Sequence, residues 1–167
     1  VPQAHPISPV VLKGHTGFVV ALDYSSDGKT VASGSSDNTI KLWNLANCKC
    51  WRTLSGHRKT VTAVLFNSDK NLLLSGDEEG IIKVWSLITG KPLDSNSTHQ
   101  GRIRKLVFSR NGQFLASGGD DGFIYLWKVD PKEAIICKLA GWHNQSLVMS
   151  LAFNHDGSIL FSGGGDG

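Results

Sequence analysis

Apolar and polar positions alternate along this chain in short runs, and the period is two throughout. Residues 18–25 (FVVALDYS), 60–67 (TVTAVLFN), 103–109 (IRKLVFS) and 147–154 (LVMSLAFN) are rich in β-branched and aromatic side chains and predict strands. A polar turn follows each run: SDGK, SDKN, RNGQ and HDGS. Second strands are predicted at TVASGS, LLLSGD, FLASGG and ILFSGG. Two-residue hairpin signals come next, at Asp37-Asn38, Glu79-Gly80, Asp121-Gly122 and Asp166-Gly167. Asn and Gly accept the positive φ that such turns require. Third strands follow at TIKLW, IIKVW and FIYLW, then weaker fourth strands such as CKCWRTL and AIICKLA. No helical period competes with this pattern.

The unit repeats. Trp43, Trp85 and Trp127 lie 42 residues apart, as do His15, His57 and His99, and Ser33, Ser75 and Ser117. Residues 14–55, 56–97 and 98–140 form three copies, and 141–167 a truncated fourth with His143, Ser162 and Asp166 but no third-strand Trp. Residues 7–13 (ISPVVLK) occupy the place of CWRTLSG one unit later, so they read as the outer strand of a preceding unit. One four-stranded antiparallel sheet cannot bury both faces alone. Stacking such sheets around an axis covers the faces and protects the edges.

Composition fits a folded domain: 40% hydrophobic and 19% charged residues, with 19 Gly for the turns. No apolar run is long enough to span a membrane, and the first residues lack the pattern of a signal peptide. Three cysteines in a CKC-plus-one arrangement do not match zinc or disulfide spacing. Free thiols in a reducing, intracellular, cytoplasmic setting are expected, with no metal or cofactor. A net charge of +3 is too mild to indicate nucleic acid.

The pairs Gly14-His15 and Gly56-His57, weaker at Thr98-His99 and Trp142-His143, and the closing Trp43-Asn44, Trp85-Ser86 and Trp127-Lys128 carry a resemblance. The chain is similar to the WD-repeat (tryptophan–aspartate repeat) β-propeller family from about Val10 onward, although the closing Asp is missing in every copy. The resemblance implies an all-β fold of four-stranded antiparallel blades, here an incomplete ring of about four repeats of an expected seven. The remaining blades would come from the rest of a longer chain or from another chain, or the repeats would close as a small ring. It also implies a structural tetrad in each copy. These are His15, Ser33, Asp37 and Trp43; His57, Ser75, Glu79 and Trp85; His99, Ser117, Asp121 and Trp127; and His143, Ser162 and Asp166. Glu79 is one methylene longer than its counterparts.

Ser, His and Asp in one network invite a hydrolase reading, but the set recurs in every copy with a donor-only Trp at its end. The Gly-rich turns lack the Lys-Ser/Thr of a phosphate loop and join strand to strand. The resemblance implies a non-enzymatic scaffold for protein or peptide partners. The family's loop face would carry Phe18, Arg58, Lys59, Thr60, Glu78, Arg102 and Asp120, with Thr16, Gln100, Asn144 and Ser146 nearby and Lys105 directed into the channel. Phe18 reads equally as an exposed anchor or as packing beneath its loop. The basic side chains suggest a mouth for acidic or phosphorylated peptides. A sensor module of a larger kinase, NTPase or protease is the other alternative.

Overall fold

The computed structural model describes residues 9–67, 71–128, 136–144 and 146–166. It is all-β, with no helix among the described residues. Strands β1 (Val19–Tyr24), β2 (Thr30–Ser35), β3 (Thr39–Asn44) and β4 (Lys49–Ser55) form one antiparallel sheet in chain order. The second holds β5 (Val61–Asn67), β6 (Leu72–Asp77), β7 (Ile81–Ser86) and β8 (Pro92–Ser97). The third holds β9 (Ile103–Phe108), β10 (Phe114–Gly119), β11 (Phe123–Lys128) and β12 (Ile136–Trp142). A fourth sheet has two strands, β13 (Val148–Phe153) and β14 (Leu160–Gly164).

The sheets stand side by side in an incomplete propeller. The first strand of each packs on the first strand of the next, β1 on β5, β5 on β9 and β9 on β13. Three apolar clusters fill the seams. One joins Ile40 and Leu42 to Val61, Leu73 and Trp85; the next joins Leu74, Ile82 and Val84 to Ile103, Leu115 and Trp127; the last joins Ala116 and Ile124 to Val148 and Leu151. The row's free end is visible at equivalent positions. Val61, Ile103 and Val148 are each 0% exposed, whereas Val19 is 47% exposed because no sheet among the described residues lies on its outward face.

Glycine in the second strands permits this close stacking. A Cβ on Gly76 would lie 2.6 Å from Ile103 Cβ, and one on Gly34 would lie 2.8 Å from Val61 Cγ1. Such separations are well inside van der Waals contact, so the Ser-Gly pair of each second strand sets the distance between sheets.

Residues 9–13 precede the first sheet. They run without ladder pairing, and Val10 and Val11 are exposed. An outer strand needs the third strand of its own sheet beside it to satisfy its backbone groups. Residues 7 and 8 of the expected strand lie outside the described residues.

Candidate functional site

Each of the first three sheets is tied by a four-member hydrogen-bond relay. The Trp43 indole donates to Ser33 Oγ at 2.7 Å, Ser33 Oγ to His15 Nε2 at 2.7 Å, and His15 Nδ1 to Asp37 at 2.8 Å. In the third sheet Trp127, Ser117, His99 and Asp121 repeat this at 2.8, 2.8 and 2.9 Å. In the fourth, His143 bonds Ser162 at 3.0 Å and Asp166 at 2.7 Å.

The second sheet departs from the sequence reading. His57 Nδ1 bonds Asp77 at 2.7 Å, not Glu79, which is exposed. Asp77 ends β6, two residues before the turn. Its counterparts are Ser35, Gly119 and Gly164. A Cβ at Gly119 would come within 3.1 Å of His99 Nδ1, so a short carboxylate at this place reaches the imidazole directly. Asp77 Oδ1 also accepts the backbone N–H groups of Glu79 and Ile81, both at 3.0 Å. Aligning the four copies offers the signal: the second alone has Asp at this place and alone lacks it at the turn.

Burial would raise the Asp37 carboxyl, but hydrogen bonds from Thr39, His15 and the Thr16 backbone outweigh it and hold it far below the usual range. Asp77 is likewise lowered, against burial, by His57 and the backbone of Ile81 and Glu79. Burial lowers His99 more than Asp121 raises it, which favours the neutral ring. The hydroxyls of Ser33, Ser75 and Ser117 are buried and already bonded to an indole and an imidazole, so no substrate reaches them. Each of the first three relays joins the segment before the first strand to the second and third strands of its sheet.

The accessible surface lies at the inner rim. Each first strand carries a β-bulge that skips one residue in the ladder: Val20, Thr62, Arg104 and Met149. A bulge re-aims the extra side chain. All four line one concavity of about 350 Å³, together with Phe18, Thr60, Ile103, Glu78 and Arg102. Phe18 is 83% exposed, at the same end of the row as exposed Val19, Val20, Leu22 and Tyr24. Its backbone is fixed, because its N–H donates to Ser36 Oγ at 2.8 Å and its carbonyl accepts from Ser36 N–H at 2.9 Å.

The charges are arranged differently from a basic mouth. Arg102 is ion-paired to Glu78 and Arg104 to Asp120. Arg104 lines the concavity, whereas Lys105 is exposed outside its lining. Counting residues along β9 cannot foresee this, since the bulge shifts the facing by one. Arg58 and Lys59 are exposed on the preceding loop, and the Arg58 carbonyl accepts from Asn38 Nδ2 at 3.2 Å. Thr16, Gln100 and Asn144 are exposed and Ser146 is half-buried. Among the described residues no group of three His, Cys, Asp or Glu side chains could hold a metal ion.

The family model described as "WD domain, G-beta repeat" matches residues 8–44, 48–86, 90–128 and 136–167. Curated relatives match over single stretches. Protein HIRA of Oryza sativa subsp. japonica is 51% identical over 41 residues, 25% of this chain and 4% of that protein. Ribosome biogenesis protein BOP1 of Mus musculus is 42% identical over 53 residues, 31% of this chain and 7% of that one. WD repeat-containing protein 18 of Homo sapiens is 42% identical over 45 residues, 27% of this chain and 10% of that one. The chain thus spans no more than a tenth of these relatives. Among solved structures, the computationally designed Ika4 protein superposes with a TM-score of 0.77 at 35% identity, covering 94% of this chain and 91% of that one. The designed Ika8 protein gives 0.75 at 35% identity, covering 93% of this chain and 46% of that one.

Proposed function

This chain belongs to the WD40-repeat family, and we propose that it is a non-enzymatic platform that binds a protein or peptide partner on the rim around Phe18. The carrying observation is the set of bulge residues: one side chain from each sheet, re-aimed into a single concavity beside a solvent-exposed aromatic. Rigid sheets hold these side chains in place, and an exposed aromatic in a shaped depression is the usual form of a binding anchor. The partner's contact segment presents an apolar side chain to Phe18, Val20 and Met149. Around it, polar groups meet the Arg102–Glu78 and Arg104–Asp120 pairs. The free, exposed thiols of Cys48 and Cys50 support a reducing, cytoplasmic setting.

A photoreactive phenylalanine analogue at position 18 tests this. It is expected to capture one discrete protein partner from the source cell, whereas the same group at position 51, on an outer strand, captures none. Retention of the partner by a Phe18→Ser, Met149→Ser variant would refute the surface. Reading of acidic or phosphorylated peptides is favoured only by exposed Arg58 and Lys59, since Arg102 and Arg104 already have carboxylates. Arg58→Glu with Lys59→Glu abolishes binding under that reading and leaves it intact under the first. The greater length of the curated relatives favours the same platform acting as a regulatory module of a larger protein.

A further inference from the structure

The second sheet, which is flanked on both sides by others, moves its relay carboxylate from the turn to the strand end. We propose that the hollow this leaves beside Asp77 and Glu79 is a carboxylate-binding site, which takes the aspartate or glutamate side chain of a partner polypeptide. The hollow is separate from the rim around Phe18, and the proposal stands whether or not that rim binds.

The first observation is a backbone N–H group left over. In the first sheet the N–H of Thr16, the residue after the relay histidine, donates to Asp37 Oδ2 at 3.0 Å. In the third sheet the Gln100 N–H donates to Asp121 Oδ2 at 2.8 Å, and in the fourth the Asn144 N–H donates to Asp166. The equivalent group of the second sheet is the Arg58 N–H. There the turn residue, Glu79, is exposed, and the Asp77 carboxylate accepts from His57 and from the N–H groups of Glu79 and Ile81. Among the described residues no group accepts from the Arg58 N–H.

The second observation is the space. A hollow of about 290 Å³ opens here, lined by Gly56, Arg58, Asp77, Glu79, Lys83 and Ser95. At the corresponding place in the first sheet the Thr39 hydroxyl donates to the Asp37 carboxylate at 2.6 Å; the second sheet has Ile81 for Thr39 and lacks that hydroxyl. The third observation is charge. Arg58 is exposed and Lys83 half-buried, and neither is ion-paired among the described residues, unlike Arg102 and Arg104. Lys83 Nζ donates to Ser95 Oγ at 3.1 Å, which fixes the ammonium at the wall and leaves it two further N–H donors. A carboxylate in the hollow accepts from the Arg58 N–H and pairs with both cations, a charge-assisted arrangement. Asp77 and Glu79 border the same space, so a phosphate dianion is repelled about twice as strongly as a carboxylate.

The probe is an end-capped tripeptide with one central glutamate, titrated into the whole chain at constant ionic strength and followed by the proton–nitrogen NMR signals of the backbone. The Arg58 amide proton is expected to move downfield saturably, while those of Thr16 and Gln100, already bonded to Asp37 and Asp121, stay in place. Arg58→Met and Lys83→Met each weaken binding about 3- to 10-fold, the range for one hydrogen bond. Glu79→Gln removes a competing charge and tightens it about 1.5- to 5-fold. Circular dichroism confirms that each variant is folded; Arg58 lies on an exposed loop, so its variant carries the test if Lys83→Met is unfolded. An Arg58 amide that does not respond, or responds equally to the same peptide with glutamine, overturns the proposal. Equal shifts at Thr16 and Gln100 overturn it too, as does tighter binding of inorganic phosphate than of the glutamate peptide. So does an upfield move of the Arg58 amide in the free Glu79→Gln chain, because Glu79 then fills the hollow itself.

Discussion

Gly76→Ala adds a single methyl at the seam between the second and third sheets. The new Cβ would lie 2.6 Å from both Cβ and Cγ2 of Ile103 and 2.9 Å from its Cγ1. Ile103 is fully buried and its Cβ cannot turn away, so β6 and β9 must part by about 1 Å to restore contact distance. Overpacking of this kind costs about 1–3 kcal/mol. Alanine offsets roughly 0.4–1 kcal/mol of that by restricting the unfolded chain. The net loss of about 0–2.6 kcal/mol corresponds to a melting temperature lower by up to roughly 10 °C at this chain length. Gly163→Ala is the matched control. It occupies the same place in the fourth sheet, where no further sheet stands among the described residues, and its Cβ would meet only the rotatable Ser150 Oγ at 3.0 Å. There the expected change is within about 0.5 kcal/mol. Urea unfolding followed by tryptophan fluorescence measures both. Equal losses at the two sites, or a stabilised Gly76→Ala chain, would refute the reasoning.

Removing the carboxylate of the second relay should separate Asp77 from Glu79. Asp77→Ala strands the His57 ring N–H and two backbone N–H groups and is expected to cost about 3 kcal/mol or more, while Glu79→Ala stays within about 0.5 kcal/mol by denaturant unfolding. Ser75→Ala leaves the fully buried Trp85 indole without its acceptor, at about 1–3 kcal/mol in the same measurement. Acid should destabilise the fold in two stages. The neutral-favoured His99 binds fewer protons folded than unfolded, so its contribution is present above its ordinary value of 6.5 and is lost as pH falls below it. Asp37 and Asp77 are depressed, so theirs is present above the ordinary value of 3.8 and is lost as pH falls through the folded values; melting temperature against pH should record both stages.

Much of the fold was legible because strand periodicity, hairpin pairs and the 42-residue recurrence all point to the same unit. The relays of the first and third sheets were legible through resemblance, since His15 with Asp37 and His99 with Asp121 keep one spacing. Asp77 was missed because a spacing rule tracks the turn, while the imidazole responds to proximity, and the strand end is equally close. The bulges at Val20, Thr62, Arg104 and Met149 leave no mark on an alternating pattern, so the side chains they bring into one concavity could not be picked out from it. The partners of Arg102 and Arg104 come from second-strand loops, and composition alone does not show which opposite charges meet.

Indole hydrogen exchange tests most directly whether the serine–histidine networks are structural ties. Proton NMR of the chain in deuterated buffer should show three protected indole N–H signals, from Trp43, Trp85 and Trp127, and two that exchange quickly, from Trp51 and Trp142, which are 46% and 68% exposed. Five signals exchanging at the rate of free indole would contradict it.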